Sequence, residues 1–276
     1  MTPFSLGTEL RRQATRPRTR IALGFMVVLP LIVLLAFEFG GGADADGGQG
    51  TGAFSSLVDL ATFGGLNFAL FTLLVSSSFL LVVVVALFFG DTVASEASWG
   101  SLRYLLAIPV PRARLLGVKL VTALLYAGLA LLLLVGTALL AGTARYGWHP
   151  LRSTVADQLD PWPAFGRLAA ATGYIFLSML IVAMLAFLLS VSTDAPLGAV
   201  GGAVLLQILS SILDQIEALG AIRSFLPTHF SDAWVGLLST PVQADSMIRG
   251  LLSAVAYAAI FGTLAFAKFL RKDVTS

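Results

Sequence analysis

Long stretches of this 276-residue chain carry no charge at all, and that one feature limits the folds open to it. Leu80 to Phe89 and Leu129 to Val135, for example, are wholly apolar. A helix satisfies its own backbone and needs about 20 mostly apolar residues to cross a bilayer. Six stretches bounded by charge or by Gly and Pro clusters fit, at about 21–39, 66–90, 115–141, 167–190, 197–213 and 249–270. Composition agrees: 57% of residues are hydrophobic and 12% charged, with mean hydropathy +0.91, where soluble proteins average roughly a quarter charged. The expected fold is therefore an all-α polytopic membrane protein, a single transmembrane domain over 1–276. Zero Cys excludes disulfides, Cys-ligated zinc and thiol catalysis.

The placement of the cations predicts orientation. Twelve of the seventeen Lys and Arg side chains fall before span one, between spans two and three, or after span six. Retained cations mark the cytoplasmic side, so both termini are expected there, with residues 1–20 as an interfacial segment. The loop Ser192-Thr193-Asp194-Ala195-Pro196 belongs to the same side by alternation yet holds no cation. Trp148, Trp162 and Trp234 fall beside outer boundaries, where indole rings sit well at headgroup level. The Arg-rich start resembles a signal peptide, but its apolar run continues past Pro30 to Phe39 without an A-x-A-like site, which reads as a permanent helix. The stretch from Gly40 to Gly48 reads as a loop in water. Ala- and Gly-rich composition, with only three lysines, points to a GC-rich bacterial genome.

Catalytic patterns are missing. The two histidines, His149 and His229, are eighty residues apart and form no H-E-x-x-H site. There is no G-x-S-x-G elbow, and no lysine directly follows a glycine, which excludes a P-loop. No catalytic residue, metal site or nucleic-acid partner is expected. Any nucleotide that drives this protein is bound by another chain. The spans also hold little charge: Glu38 and Asp91 sit at span ends, Asp214 closes span five, and Gln207 is the most central strongly polar group. Coupling by a midplane carboxylate, as in many ion-driven carriers, is disfavoured.

The segment between spans two and three is the most informative. Asp91 is placed to cap a short helix through Val93 to Trp99, with Glu96 inside it and Gly100 ending it. Leu102, Leu105 and Leu106 then repeat at helical spacing before Pro109 and Pro111 force a turn. Residues 91–114 read as an interfacial elbow. The series Glu96, Gly100, Leu102, Leu105, Leu106, Pro109, Arg112 and Lys119 resembles the coupling region of bacterial ABC-2 type transporter permeases, with Ser101 in place of the usual Thr. Six spans, a basic N-terminal segment and a long outer segment after a short fifth span extend the resemblance over nearly the whole chain.

That resemblance implies the membrane subunit of an ATP-driven exporter in a bacterial plasma membrane. Its partners would be two copies of a cytoplasmic ABC ATPase, which binds the ATP and Mg, a second permease, either identical or related, and membrane lipid. Asp91, Glu96, Trp99, Gly100, Pro109 and Arg112 would form the ATPase-coupling element. Glu96 would pair with a partner cation and Trp99 would fill a notch beside it, unless the two merely face solvent and headgroups. In such exporters spans two and five line the central path, so Ser76, Ser77, Phe79 and Gln207 become pathway candidates. Tight packing is the other reading of the serines. Gly198 and Gly202 have the G-x-x-x-G spacing for helix packing. Residues 214–248 read as two short outer re-entrant helices broken near Pro227, or as ordinary connectors. A mostly apolar path suits an amphipathic, drug-like or lipid-like substrate. The rival readings are an ATP-independent secondary carrier, an intramembrane enzyme and a scaffold that recruits a partner through the elbow.

Overall fold

A computed structural model describes residues 5–40, 58–100, 110–152 and 158–272. Most of the predicted loop after Gly40 and the elbow residues 101–109, including Pro109, lie outside them. Among the described residues the chain is all-helical, apart from one isolated bridge between Leu151 and Leu159. The elements are α1 (Leu6–Thr15), α2 (Pro17–Gly40), α3 (Gly65–Ser77), α4 (Leu80–Ser98), α5 (Arg112–Tyr146), α6 (Pro161–Ser178), α7 (Leu180–Ser192), α8 (Pro196–Asp214) and α9 (Asp245–Leu270). Two 3-10 segments, Glu217–Phe225 and Ala233–Leu238, lie between α8 and α9.

Six of these crossings are long and apolar enough to span a membrane: α2, α4, α5, α6 with α7, α8 and α9. This is the build of a multi-pass membrane protein. All six predicted spans recur with longer ends, most of all α5. At 1.5 Å per residue its 35 residues reach roughly 50 Å, well past a 30 Å hydrocarbon core. Span two differs. The helix breaks at Ser78 and Phe79, where Phe79 leaves helical geometry (φ −134°, ψ −54°), and then runs unbroken through Asp91 to Ser98. The predicted new helix start at Asp91 does not occur, because cations from the N-terminal segment neutralise that carboxylate inside the helix.

Local sequence explains the entry. Ser5 caps α1 by accepting from the Thr8 N–H at 3.3 Å. Pro17 then forces Arg16 into extended geometry (φ −69°, ψ 129°), which separates α1 from α2. Gly100, at φ +66°, ends α4 as predicted in the left-handed conformation that favours glycine.

Packing follows small residues. α4 is buried on nearly every face from Leu81 to Glu96 and forms the centre of the bundle. The outer helices bury narrow stripes of mostly small residues, Ala199, Ala203 and Ser210 on α8 and Gly250, Ala254, Gly262 and Ala265 on α9, which also buries Phe269 near its end. Their bulky residues, such as Leu205, Leu252 and Val255, face outward. Without a hydrophobic drive between helices in lipid, close backbone approach carries the packing. Gly90 supplies it between α4 and α8: a Cβ there would lie 2.8 Å from Val200 Cγ2 and 3.1 Å from Val200 N. Gly142 and Gly65 do the same between α5 and α3. Of the predicted packing pair, Gly202 meets Leu189, whereas a Cβ at Gly198 would meet only Ala195 of its own turn.

Candidate functional site

Two polar clusters stand out in this apolar bundle, one at each end. The first gathers the end of α4, the start of α5 and the whole of α1. Glu9 and Arg12 lie one turn apart on α1, with Arg16 at its C-cap, and all three join one network of ion pairs. On α4, Asp91, Ser95 and Glu96 share one face at near four-residue spacing, and α5 contributes Lys119. Glu96 Oε1 accepts from Arg16 Nη2 at 3.1 Å and from Lys119 Nζ at 3.3 Å, and it also pairs with Arg12. Lys119 Nζ reaches Glu9 Oε1 at 3.0 Å. Arg16 Nη1 donates to Asp91 Oδ2 at 3.2 Å, and Arg18 pairs with the other Asp91 oxygen. Four cations thus enclose three carboxylates. Glu96 is 0% exposed, Lys119 1% and Glu9 2%.

Burying charges this deeply is unfavourable unless each is paired and hydrogen-bonded. Here each carboxylate has at least two cationic partners. Tyr126 Oη adds a bond to the Leu10 carbonyl at 2.7 Å, and Ser190 Oγ on α7 accepts from the Val93 and Ala94 N–H groups at 3.0 Å each. The cluster therefore fastens α1, α4, α5 and α7 together.

This geometry places Glu96 inside the chain, paired with the chain's own cations. Its carboxylate has no exposed surface and meets three of them. Asp91 is likewise internal. Trp99 is different: it is 59% exposed, with the Arg16 and Arg18 guanidinium carbons 5.3 and 5.6 Å from its ring centroid. Trp99 and Gly100 stand at the tip of the unit, immediately before residues 101–109. Arg112 turns back instead, donating to the Leu270 and Lys272 carbonyls at 3.1 Å each and capping α9. Lys272 pairs with Asp194 at 2.9 Å, so the cation-free loop after α7 belongs to this same cation-rich end.

At the opposite end, the segment between α8 and α9 folds over the bundle. Its turn at Pro227 lies between the two 3-10 segments, where the sequence predicted a break. Tyr174 Oη donates to the Phe230 carbonyl at 2.7 Å, Arg167 donates to the Leu237 and Ser239 carbonyls, and Ser210 and Thr228 share a hydrogen bond at 2.8 Å. Trp234, predicted as an interfacial anchor, is 1% exposed and fills the space between this segment, α6 and α9. Trp148 and Trp162 do stay outside, in edge contact at 6.1 Å.

Beneath the segment lies a cavity of about 110 Å³, reaching the Ser78 break in the second crossing. Ser77, Gln207, Asp214, His229 and Asp232 line it. His229 Nδ1 and Asp214 Oδ1 are 2.6 Å apart, and Arg223 Nε is 3.6 Å from the same oxygen. Partial burial, with the Asp214 charge nearby, raises the Asp232 carboxyl above its ordinary range. Of the predicted pathway residues, Ser77 and Gln207 face the cavity and Phe79 an adjoining groove, but Ser76 is buried away from both with its hydroxyl unpartnered. The sequence reading missed Asp232 as a site residue and took Asp214 only as a span end; both lie in the polar run after span five. Among the described residues no cluster of three His, Cys, Asp or Glu has metal-holding geometry.

No curated protein matches the chain. A family model described as "Protein of unknown function (DUF2705)" matches residues 54–275, from just before α3 to the chain's end, and so includes α4, Lys119, the cavity and the segment above it. The chain belongs to the DUF2705 family.

Proposed function

We propose that this protein is the membrane-spanning subunit of an ATP-driven exporter of the ABC-2 type. It works as a pair with a second permease and draws its energy from two copies of a separate cytoplasmic ATPase that binds ATP and Mg. The cation-rich end faces the cytoplasm of a bacterial cell, and the Trp99–Gly100 tip with residues 101–109 meets the ATPase, while Arg112 holds the start of α5 to the end of α9. The cavity end faces outward, its overlying segment serving as the exit cover.

The buried ionic unit carries this reading. A docking element transmits force only if it is rigidly joined to the spans that must move. Glu96 and Lys119 join the ends of the second and third crossings to each other and to α1. Closure of an ATPase dimer pulling on the tip would shift these elements together, as rigid-body transitions require. Glu96 is then a transmission residue, and Trp99 carries the contact.

Purification of the tagged chain from its native membrane in mild detergent, followed by mass spectrometry, tests the assignment. A stoichiometric P-loop ATPase and vesicle export that stops when ATP is withheld are the expected results. The Asp214–His229 pair at the cavity favours a second reading, an ATP-independent carrier. Export that persists without ATP and collapses with the proton gradient would establish that alternative.

A further inference from the structure

The cavity does not end at its polar walls. Ser78, Val82, Gln207, Ser211 and Gln215 also line a groove of about 270 Å³ between the break in the second crossing and α8, whose remaining walls are Phe79, Ile208 and Ile212. Phe79 and Ile212 are each 57% exposed, so this groove opens on the outer surface of the single chain. A polar chamber thus continues into an apolar channel leading sideways out of the bundle.

The chamber has a definite charge preference. Arg223 and His229 both attend Asp214. Asp232 has no such partner: it occupies the N-cap of Ala233–Leu238, where carboxylates usually bond backbone N–H groups, yet it makes no capping bond and lines the chamber. The Gln207 amide and the Ser78 and Ser211 hydroxyls likewise form no side-chain hydrogen bonds among the described residues. The chamber therefore offers unsatisfied amide and hydroxyl groups, which can accept or donate, and a carboxylate with no cationic partner among the described residues. A chamber of about 110 Å³ suits a compact polar head, and the Asp232 carboxylate would oppose an anionic one.

We propose that chamber and groove together bind an amphiphile with a compact, hydrogen-bond-donating cationic head and a hydrocarbon tail, the chemistry of a long-chain primary amine. The ammonium sits among Asp232, Gln207 and Ser211, and the tail lies along Phe79, Ile208 and Ile212. This names the cargo class of the exporter reading and rests on it. Entry is lateral, within one subunit.

The purified chain in maltoside micelles, without any ATPase, is titrated with dodecylammonium, dodecyltrimethylammonium, butylammonium and dodecyl sulfate by calorimetry. Dodecylammonium should bind saturably near one per chain, and at least tenfold more tightly than the other three. Asp232→Asn and Gln207→Leu should each weaken it about tenfold or more while keeping the wild-type elution volume. Equal binding of dodecyl sulfate, or uptake unchanged in both variants, would overturn the proposal, and the comparison of heads on the wild-type chain needs no variant to fold. Amine binding without a co-purifying ATPase would leave this site standing and remove the exporter reading. An ATPase without amine binding would do the reverse.

Discussion

Glu96 on α4 and Lys119 on α5 face each other across 3.3 Å with 0% and 1% of their side chains exposed, and both are bound in turn to α1. An ion pair this dry is sustained by its neighbours, so its members fail singly. Lys119→Met should destabilise the chain by about 3–5 kcal/mol, because Glu9 and Glu96 are left with less compensating charge in a buried site. Adding Glu9→Gln should recover part of that loss. Thermal unfolding in micelles measures both, and a double variant no better than the single would show that the two residues are uncoupled.

Trp99 should behave in the opposite way. Its ring is mostly outside, and a cation–π contact at an exposed site contributes about 0.5–1 kcal/mol. Trp99→Ala should therefore barely move the unfolding temperature while sharply reducing ATPase co-purification. Unchanged ATPase recovery would remove Trp99 from the docking surface.

Two glycines on facing helices should respond differently to the same methyl group. Gly90→Ala pushes against the Val200 backbone, which has nowhere to go, and should cost about 1–3 kcal/mol. Gly198→Ala meets nothing closer than 3.6 Å and should be neutral or slightly stabilising, since Ala is the better helix former. Comparison of the two unfolding temperatures checks the α4–α8 crossing directly.

Asp232 gives a pH dependence with a defined sign. Its carboxyl is raised from 3.8, so the folded chain holds its proton more tightly than the unfolded chain does. The stabilisation is complete below the unfolded value and is lost as pH rises through the higher folded one. Asp232→Asn should therefore gain on the wild type as pH rises above the ordinary carboxylate range, by less than about 1 kcal/mol because the residue is more than a third exposed. Greater wild-type stability at pH 7 would contradict this placement of the carboxylate.

The bundle was legible because each crossing is written locally, as an apolar run with charge, Gly or Pro at its ends. Gly100 and Pro227 interrupt helices where their backbone chemistry says they must. The internal pairing of Glu96 was not legible because its partners lie up to 84 residues away, on an N-terminal helix whose arginines already had an explanation as orientation signals. Glu9, Arg12 and Arg16 on one helical side were a usable sign that those arginines face protein. Gly90 was passed over for the patterned Gly198–Gly202 pair because spacing reports a stripe and not what crosses it. Trp234 and Asp232 depend on how the segment after α8 folds back, which no local periodicity encodes.

The central claim is that the tip of the α1–α4–α5 unit is where an ATPase docks. Because the chain has no cysteine, a Trp99→Cys variant carries a single thiol that can be labelled with a benzophenone maleimide. Irradiation of native membranes should join the labelled chain to one P-loop ATPase, and the same label at Trp162→Cys, on the opposite end, should capture none. Equal capture from both positions, or ATPase captured from Trp162 alone, would contradict the account.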